Sequence, residues 1–426
     1  VLGEDFIKDL PDNEDDLRDV LTALAGPGAG ASNGGQGGAE ILVNGFSGAN
    51  LPPKEAILRI TINSNPYSAE FSNPGFGRIE IVTKPGNDSW RGSLRTSFRN
   101  SALDGRNAFA LVRPDWAQQQ YDFNLSGPLI KKKMSFFATF ERRNASGQST
   151  TNAITLAGPF TANIDAPSNN TSGSVRVDYL VNDKNTVGLS YNRSVRTTLN
   201  QEFAVRGGGG FGFGGGGGGG GGTGVTNFTL PERGTDSTGT NNDMQLIWTT
   251  ILSSRLVNEA RARLGYNSSR STARTAGVAI NVLDAFNGGG SPSGHTNSTL
   301  FDYELQDYLT YTVKKHTIKG GFQVSYNKEN DFSANNFNGT YTFPSLDFYK
   351  AILAGTTPTL TNGRGVYQFT ANTGTPVLKY NQAQYSWFYN DDFRLTPTFT
   401  LSYGLRHEFQ EHLGDKNNLA PRVGIA

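Results

Sequence analysis

Between Trp90 and Phe98 the chain alternates with period two. Trp90, Gly92, Leu94, Thr96 and Phe98 are apolar or small, whereas Arg91, Ser93, Arg95, Ser97 and Arg99 are polar, and three of these are cationic. Successive side chains of an extended strand leave on opposite faces, so one face suits hydrocarbon and the other suits water. The length fits an oblique crossing of a bilayer. The alternation recurs at Tyr121, Phe123 and Leu125, at Val187, Leu189 and Tyr191, and at Tyr385, Trp387 and Tyr389. With 136–140, 175–179, 244–248, 256–266, 303–313, 318–326 and 399–405, it predicts about eleven such strands and the start of another at 422–426. Many begin or end on an aromatic, as side chains at a membrane interface do.

The connections alternate as well. Short turns are predicted at 131–133, 182–185, 253–255, 314–315 and 396–397, and long links at 101–120, 143–173, 196–240, 268–300 and 328–383. A soluble sandwich has no reason for this rhythm. An outer-membrane barrel does, with tight periplasmic turns and long outside loops. An open sheet edge in lipid leaves unpaired amides, so such a sheet must close. About eleven strands are too few to surround a folded unit, and the roughly 22-strand class has a lumen wide enough for one. The expectation is therefore a mainly β chain: an open, curved sheet forming about half of a transmembrane antiparallel barrel.

Residues 1–87 read differently. Leu17, Val20, Leu21 and Leu24 form one face of a short helix. Asp12 and Asn13 are N-cap candidates, Glu14-Asp15-Asp16 suits the first turn, and Gly26 ends it. Strands are predicted at 40–43, 57–62 and 78–83, the first followed by an Asn44-Gly45 turn and the last stopped by Pro85-Gly86. These pieces are too short to span a membrane. Joined directly to the first amphipathic strand, they predict an α+β plug over 1–87 in front of a barrel over 88–426.

Composition narrows the class. Hydrophobic residues make up 36% and mean hydropathy is −0.44, and no apolar run is long enough for a transmembrane helix, which leaves barrels untouched. A net charge of +1 indicates no nucleic-acid partner. Without cysteine there is neither a disulfide nor a thiolate metal site. No signal peptide is visible at Val1, so the start is read as an internal cut.

Candidate chemistry is sparse. The glycine run at 207–222, broken by Phe211 and Phe213, is followed by Thr223-Gly224 rather than the Lys-Ser/Thr of a phosphate loop, and reads as a surface loop within 196–240. His407 and His412 nearly spell a zincin motif, but at i+5 in a strand-to-loop region they would point apart, so no metal is assigned. His295 and His316 are isolated. No convergent catalytic cluster is legible, so neither an enzyme nor a cofactor is predicted. Lys131, Lys132 and Lys133 read as a solvated turn, with lipid headgroups as the alternative contact. Arg78, Glu80 and Lys84 are candidates for a plug-to-barrel latch with Arg91, Arg95, Arg99 or Glu141; the alternative is that they simply face water.

Val43-Asn44-Gly45, Pro52-Pro53, the run ITINSNPYSAEF at 60–71 and GFGRIEIVTKPG at 75–86 resemble the TonB-dependent receptors of bacterial outer membranes, and within them the Oar-like subgroup. Leu10-Pro11 and the barrel segments 121–129, KHTIKGG at 315–321 and LSYGLR at 401–406 look similar too. The resemblance implies a plugged barrel in the outer membrane, a plug motif that includes Asn44, Gly45 and Gly86, an unknown extracellular ligand, surrounding outer-membrane lipid, and energy from the TonB-ExbB-ExbD complex through a segment absent here. The rival readings are a non-transporting surface or adhesion barrel with its long loops as the working part, and a soluble extracellular β-sandwich.

Overall fold

The computed structural model describes residues 1–11, 14–26, 40–49, 51–62, 67–72, 75, 77–103, 115–203, 228–356 and 367–425. The glycine run and the cap candidates Asp12 and Asn13 lie outside the described residues.

The N-terminal unit holds α1 (Glu4–Lys8), α2 (Glu14–Ala25) and four strands, β1 (Glu40–Val43), β2 (Phe46–Ser47), β3 (Ile57–Ile62) and β4 (Arg78–Thr83). Their sheet runs β2-β1-β4-β3, with β1 and β4 parallel and the other pairs antiparallel. In α2 the buried stripe is Leu17, Leu21 and Ala25, spaced i, i+4, and it meets Ile41, Val43, Phe46, Ile57, Ile60, Ile79 and Ile81 in one core. Leu24, expected on that stripe, is instead 42% exposed: the buried face is a narrow i+4 row. The short α1 and β2 were not expected. Their buried Ile7 and Phe46 are single residues without a period to betray them.

The large sheet follows at once: β5 (Arg91–Asn100), β6 (Trp116–Ile130), β7 (Met134–Thr155), β8 (Gly158–Asp165), β9 (Ser168–Asn182), β10 (Asn185–Thr198), β11 (Thr235–Ser253) and β12 (Leu256–Ala273). Between β12 and the next long strand lie β13 (Ala279–Val282) and β14 (Phe286–Gly289). Then come β15 (His295–Val313), β16 (His316–Ser333), the excursion β17 (Thr340–Phe343), α3 (Leu346–Leu353) and β18 (Gln368–Thr370), and finally β19 (Val377–Thr396), β20 (Phe399–Gln410) and β21 (Asn418–Ile425). The main path is β21-β20-β19-β16-β15-β12-β11-β10-β9-β7-β6-β5, with β8 hanging on β7, and every neighbour is antiparallel. All the expected strands are present. Among the described residues the path does not close, and β5 and β21 are its ends.

Register turns the sequence alternation into two surfaces. Leu189 faces Leu246, which faces Ala262, then Leu305, Val324 and Tyr385, giving one apolar row across six strands. Leu305 in that row is 56% exposed. One residue along, Gln245, Arg263 and Glu304 are all buried. The polar face is thus the covered one and the apolar face the open one, the inverse of a water-soluble protein.

The described parts of the long links carry regular structure. The predicted link 143–173 is almost wholly strand, because β7 runs on to Thr155 and pairs with β8. Polar alternation beyond the apolar belt extends the ladder without a hydrophobic signature, so periodicity alone ended these strands too early. At the long-link end β14, β13, β17 and β18 form a third sheet, whose core is Ala153, Val282, Ala285, Phe286 and Phe343, flanked by Tyr349 and Ile352 of α3.

Candidate functional site: the junction of N-terminal unit and large sheet

The N-terminal unit touches strands from one end of the large sheet to the other. Arg95 of β5 reaches Glu55 at 3.6 Å, and Arg422 of β21 donates to the carbonyls of Ser68, Phe71 and Ser72 at 2.5–3.0 Å. A compact unit can contact both ends of a twelve-strand path only if the sheet curls around it.

One chemistry recurs in these contacts: sheet arginines donate to backbone oxygens of the unit. Arg176 binds Thr83 O and Oγ1 at 3.2 and 2.8 Å. Arg263 binds Ser47 O and Gly48 O at 3.2 and 3.0 Å. Arg406, 1% exposed, binds Ala69 O and Glu70 O at 3.3 and 2.7 Å and Ser72 Oγ at 2.9 Å. Carboxylates of the sheet itself balance these cations: Asp178 for Arg176, Asp243 for Arg263, Glu259 for Arg261 and Glu408 for Arg406. Charge-assisted bonds of this kind are strong individually, yet every partner is a group that water can also satisfy. The junction also has an apolar part: Ala69 of the unit is buried with Tyr308 and Phe388 of the sheet, and Ile247 of β11 packs on the unit's core.

The residues singled out from sequence divide into two groups. Asn44, Gly45 and Gly86 lie at the junction. Asn44 holds a left-handed backbone (φ 54°), accepts from Thr83 N and Oγ1 at 3.0 and 3.1 Å, and donates to Gln245 of the sheet at 2.9 Å. Gly45 has φ +88°, and a Cβ there would run into the Arg261 guanidinium. Gly86 donates to Asp178 Oδ2 at 3.2 Å; a Cβ would stand 2.5 Å from the backbone nitrogen of Phe136 and 2.6 Å from the carbonyl carbon of Ser135. Only glycine lets the chain pass that close to β7.

Arg78 meets a carboxylate of the unit itself, and Arg95, one of the wall residues expected in a latch, pairs with Glu55 of the unit. Arg78, 1% exposed, faces Glu40 of β1 at 3.5 Å and lies 3.5 Å over the Phe71 ring, so it braces the unit internally. Burial lowers its proton affinity and raises the Glu40 carboxyl, while their mutual attraction opposes both shifts. Glu80 sits on the same strand with its carboxyl raised by burial, partly offset by Arg78. Ion pairs that cross the junction include Arg95–Glu55 and Lys319–Glu70, the latter at 2.6 Å. Lys84 gives its backbone N–H to Ala56 O at 2.7 Å and lines, with Asn44, Thr83 and Arg176, a 40 Å³ gap at the junction.

The histidines disperse. His407 packs on Trp387 and contacts Lys416 O, His412 contacts Asn381 O, and His316 meets Asp391 at 2.8 Å.

A family model described as "Outer membrane beta barrel domain" matches residues 82–163 and 148–423. The chain belongs to that family. Its members' place is the outer membrane, which accounts for the exposed apolar belt. No curated protein matches the chain. Among solved structures it is similar to the ferric enterobactin receptor PfeA of Pseudomonas aeruginosa, as the G324V mutant, with TM-score 0.62 and 14% identity over 99% of this chain and 58% of that one. It is also similar to the outer membrane transporter YddB of Escherichia coli, with TM-score 0.57 and 12% identity over 89% of this chain and 46% of that one. At such identities the likeness is one of fold. The chain spans about half the length of the structures it matches.

Sequence reasoning on this outer-membrane barrel-family chain overlooked the junction arginines, although a signal was present. Arg176-x-Asp178, Glu259-x-Arg261 and Arg406-x-Glu408 place opposite charges two apart on one strand, hence on one face, the same covered face in every case.

Proposed function

We infer that the chain is the plug, residues 1–87, and about half of the barrel, residues 88–426, of a TonB-dependent outer-membrane receptor of Oar-like type. A ligand meets the long links on the extracellular side, and the TonB-ExbB-ExbD complex supplies the energy that loosens the plug and opens a path inward. Short turns and plug face the periplasm. The observation that carries this reading is the junction: an inverted sheet wraps a compact unit and holds it through arginine-to-carbonyl bonds that water can replace. In this reading Asn44, Gly45 and Gly86, with Gln245, Arg261 and Asp178, form the latch, and Arg78, Glu40 and Glu80 keep the plug internally rigid. The work is binding and gating, without bond chemistry. The similarity to receptors and a transporter supports the same reading at the level of fold.

The test uses the chain's lack of cysteine. An N44C/Q245C pair, placed where the two longer native side chains touch at 2.9 Å, should be bridged between unit and sheet by a short, reducible bis-methanethiosulfonate cross-linker, which spans the gap that a direct disulfide would not. Receptor-dependent uptake from isotope-labelled culture medium should stop on cross-linking, return on reduction, and be absent when the TonB complex is deleted. Uptake that survives both the cross-link and the deletion refutes the reading. Surface attachment without any receptor-dependent uptake would favour an adhesion barrel instead.

A further inference from the structure

The third sheet covers a polar cavity of about 250 Å³ at the long-link end, far along the strands from the junction. Its lining includes Arg233, Glu202, Asn281, Asn287 and Ser291. Arg233 is 7% exposed, and among the described residues it has no carboxylate within ion-pairing distance; its one named partner is Asn281 Oδ1, at 2.5 Å. The two nearest acids are occupied elsewhere. Glu202 accepts from Thr235 N and Oγ1 at 2.7 and 2.6 Å, and Glu232 accepts from Gly289 N at 2.7 Å. A guanidinium carries five N–H groups in a planar fork. Glu202 and Glu232 offset part of its charge from a distance, but a single neutral acceptor meets its N–H groups, and buried polar groups left without a bonding partner are costly. Around it, the Asn287 side chain has no hydrogen-bond partner among the described residues, and the Ser291 hydroxyl, buried at 3% exposure, is free to donate, since Ser291 Oγ accepts from Ser293 N.

The geometry points to a binding site for a small solute held by its carboxylate, with the Arg233 fork as anchor and the Asn287 amide and Ser291 hydroxyl beside it. A planar carboxylate accepts two parallel N–H bonds from such a fork, which a lysine could not offer and an uncharged amide would not repay. The Glu202 carboxylate, on the same lining, disfavours a second negative charge on the solute. A free small carboxylate and the C-terminus of a short peptide present the same group. The inference names a ligand chemistry for the face read above as the receptor's outer side and rests on that reading for its biological meaning; the binding itself does not depend on transport.

The experiment is calorimetric titration of the purified full chain in detergent micelles with N-acetylglycine and with triglycine, each beside its C-terminal amide. At least one acid should bind and its amide should bind at least about tenfold more weakly, the loss expected for charge-assisted bonds. Preference for N-acetylglycine identifies a free small carboxylate as the ligand type, and preference for triglycine a peptide end. Arg233→Gln should abolish the heat. Because loss of binding in that variant is also what misfolding would give, Asn281→Asp is decisive: it puts a carboxylate oxygen where Arg233 already bonds, so it should raise the thermal midpoint while abolishing acid binding. Absence of binding by both acids, equal binding of acids and amides, or full binding in Asn281→Asp overturns the proposal. Binding that persists while uptake is lost would count against the transport reading alone.

Discussion

Replacing Arg406 by Met tests whether the junction is held by the bonds described. Met keeps much of the volume and removes the guanidinium. Three acceptors of the N-terminal unit, Ala69 O, Glu70 O and Ser72 Oγ, lose their donor, as do Ser386 Oγ and Gln323 Oε1 in the sheet, and Glu408 loses its counter-charge. Breaking one half of a buried pair costs about 3–5 kcal/mol; since Glu408 keeps some access to water, the lower end, about 3 kcal/mol, applies. At 1.4 kcal/mol per tenfold, the local opening equilibrium should rise roughly a hundredfold. Hydrogen–deuterium exchange in micelles reads it directly: the 67–72 segment should exchange about a hundred times faster, while β9–β12 amides keep their protection. Arg142→Gln is the control, because among the described residues the Arg142 guanidinium bonds to Asn144, two residues along its own strand, and not to the unit. Unchanged exchange at 67–72 in a folded Arg406→Met protein would refute the reasoning, since those carbonyls would then be held by something else.

Three further outcomes are expected. Gly86→Val should push the 85–88 turn off β7, because the obstructing atoms are backbone; losing the bond to Asp178 and overpacking together cost about 2–4 kcal/mol, read as a lowered urea midpoint of the N-terminal unit by proteolysis. Glu80 has a folded-state proton affinity above its unfolded value, so its ionisation opposes folding: its contribution is most favourable below about pH 4.5 and is lost as pH rises through the folded value. Glu80→Gln should therefore stabilise the unit at pH 7, with the gain vanishing in acid; a gain that grows on acidification would reverse the sign of this account. Asp307 lies on the outward face, paired by register with Ala260 and Phe322 and held by Asn258 Nδ2 at 2.5 Å. Asp307→Asn keeps the acceptor and removes the charge, and should raise stability in lipid vesicles by on the order of 1 kcal/mol while changing little in water-rich detergent.

The amphipathic strands were legible because lipid and lumen impose opposite demands on alternate residues, and that demand is local: Leu94, Leu189 or Leu305 can be assigned a face from two neighbours. The turns were legible for the same reason, since a short connection interrupts the alternation. Arg78 could not be placed this way. Its partner Glu40 lies across a parallel pairing, and nothing in period or spacing distinguishes it from a wall-facing cation. The third sheet was equally hidden, because Val282, Phe286 and Phe343 are isolated apolar residues in polar links and only their meeting makes a core. The cavity at Arg233 depends on that sheet and was hidden with it.

What the sequence by itself determined is the set of long amphipathic strands and which face of each is apolar, consequences of side-chain periodicity that need no distant partner. What only the tertiary structure decided is which charge meets which: that Arg406 and Arg422 seize the backbone of 68–72, that Arg78 turns inward to Glu40, and that Arg233 is buried with no carboxylate bonded to it. Coulombic and hydrogen-bond partners are chosen by proximity in space, at separations of tens to hundreds of residues, and periodicity holds no record of them.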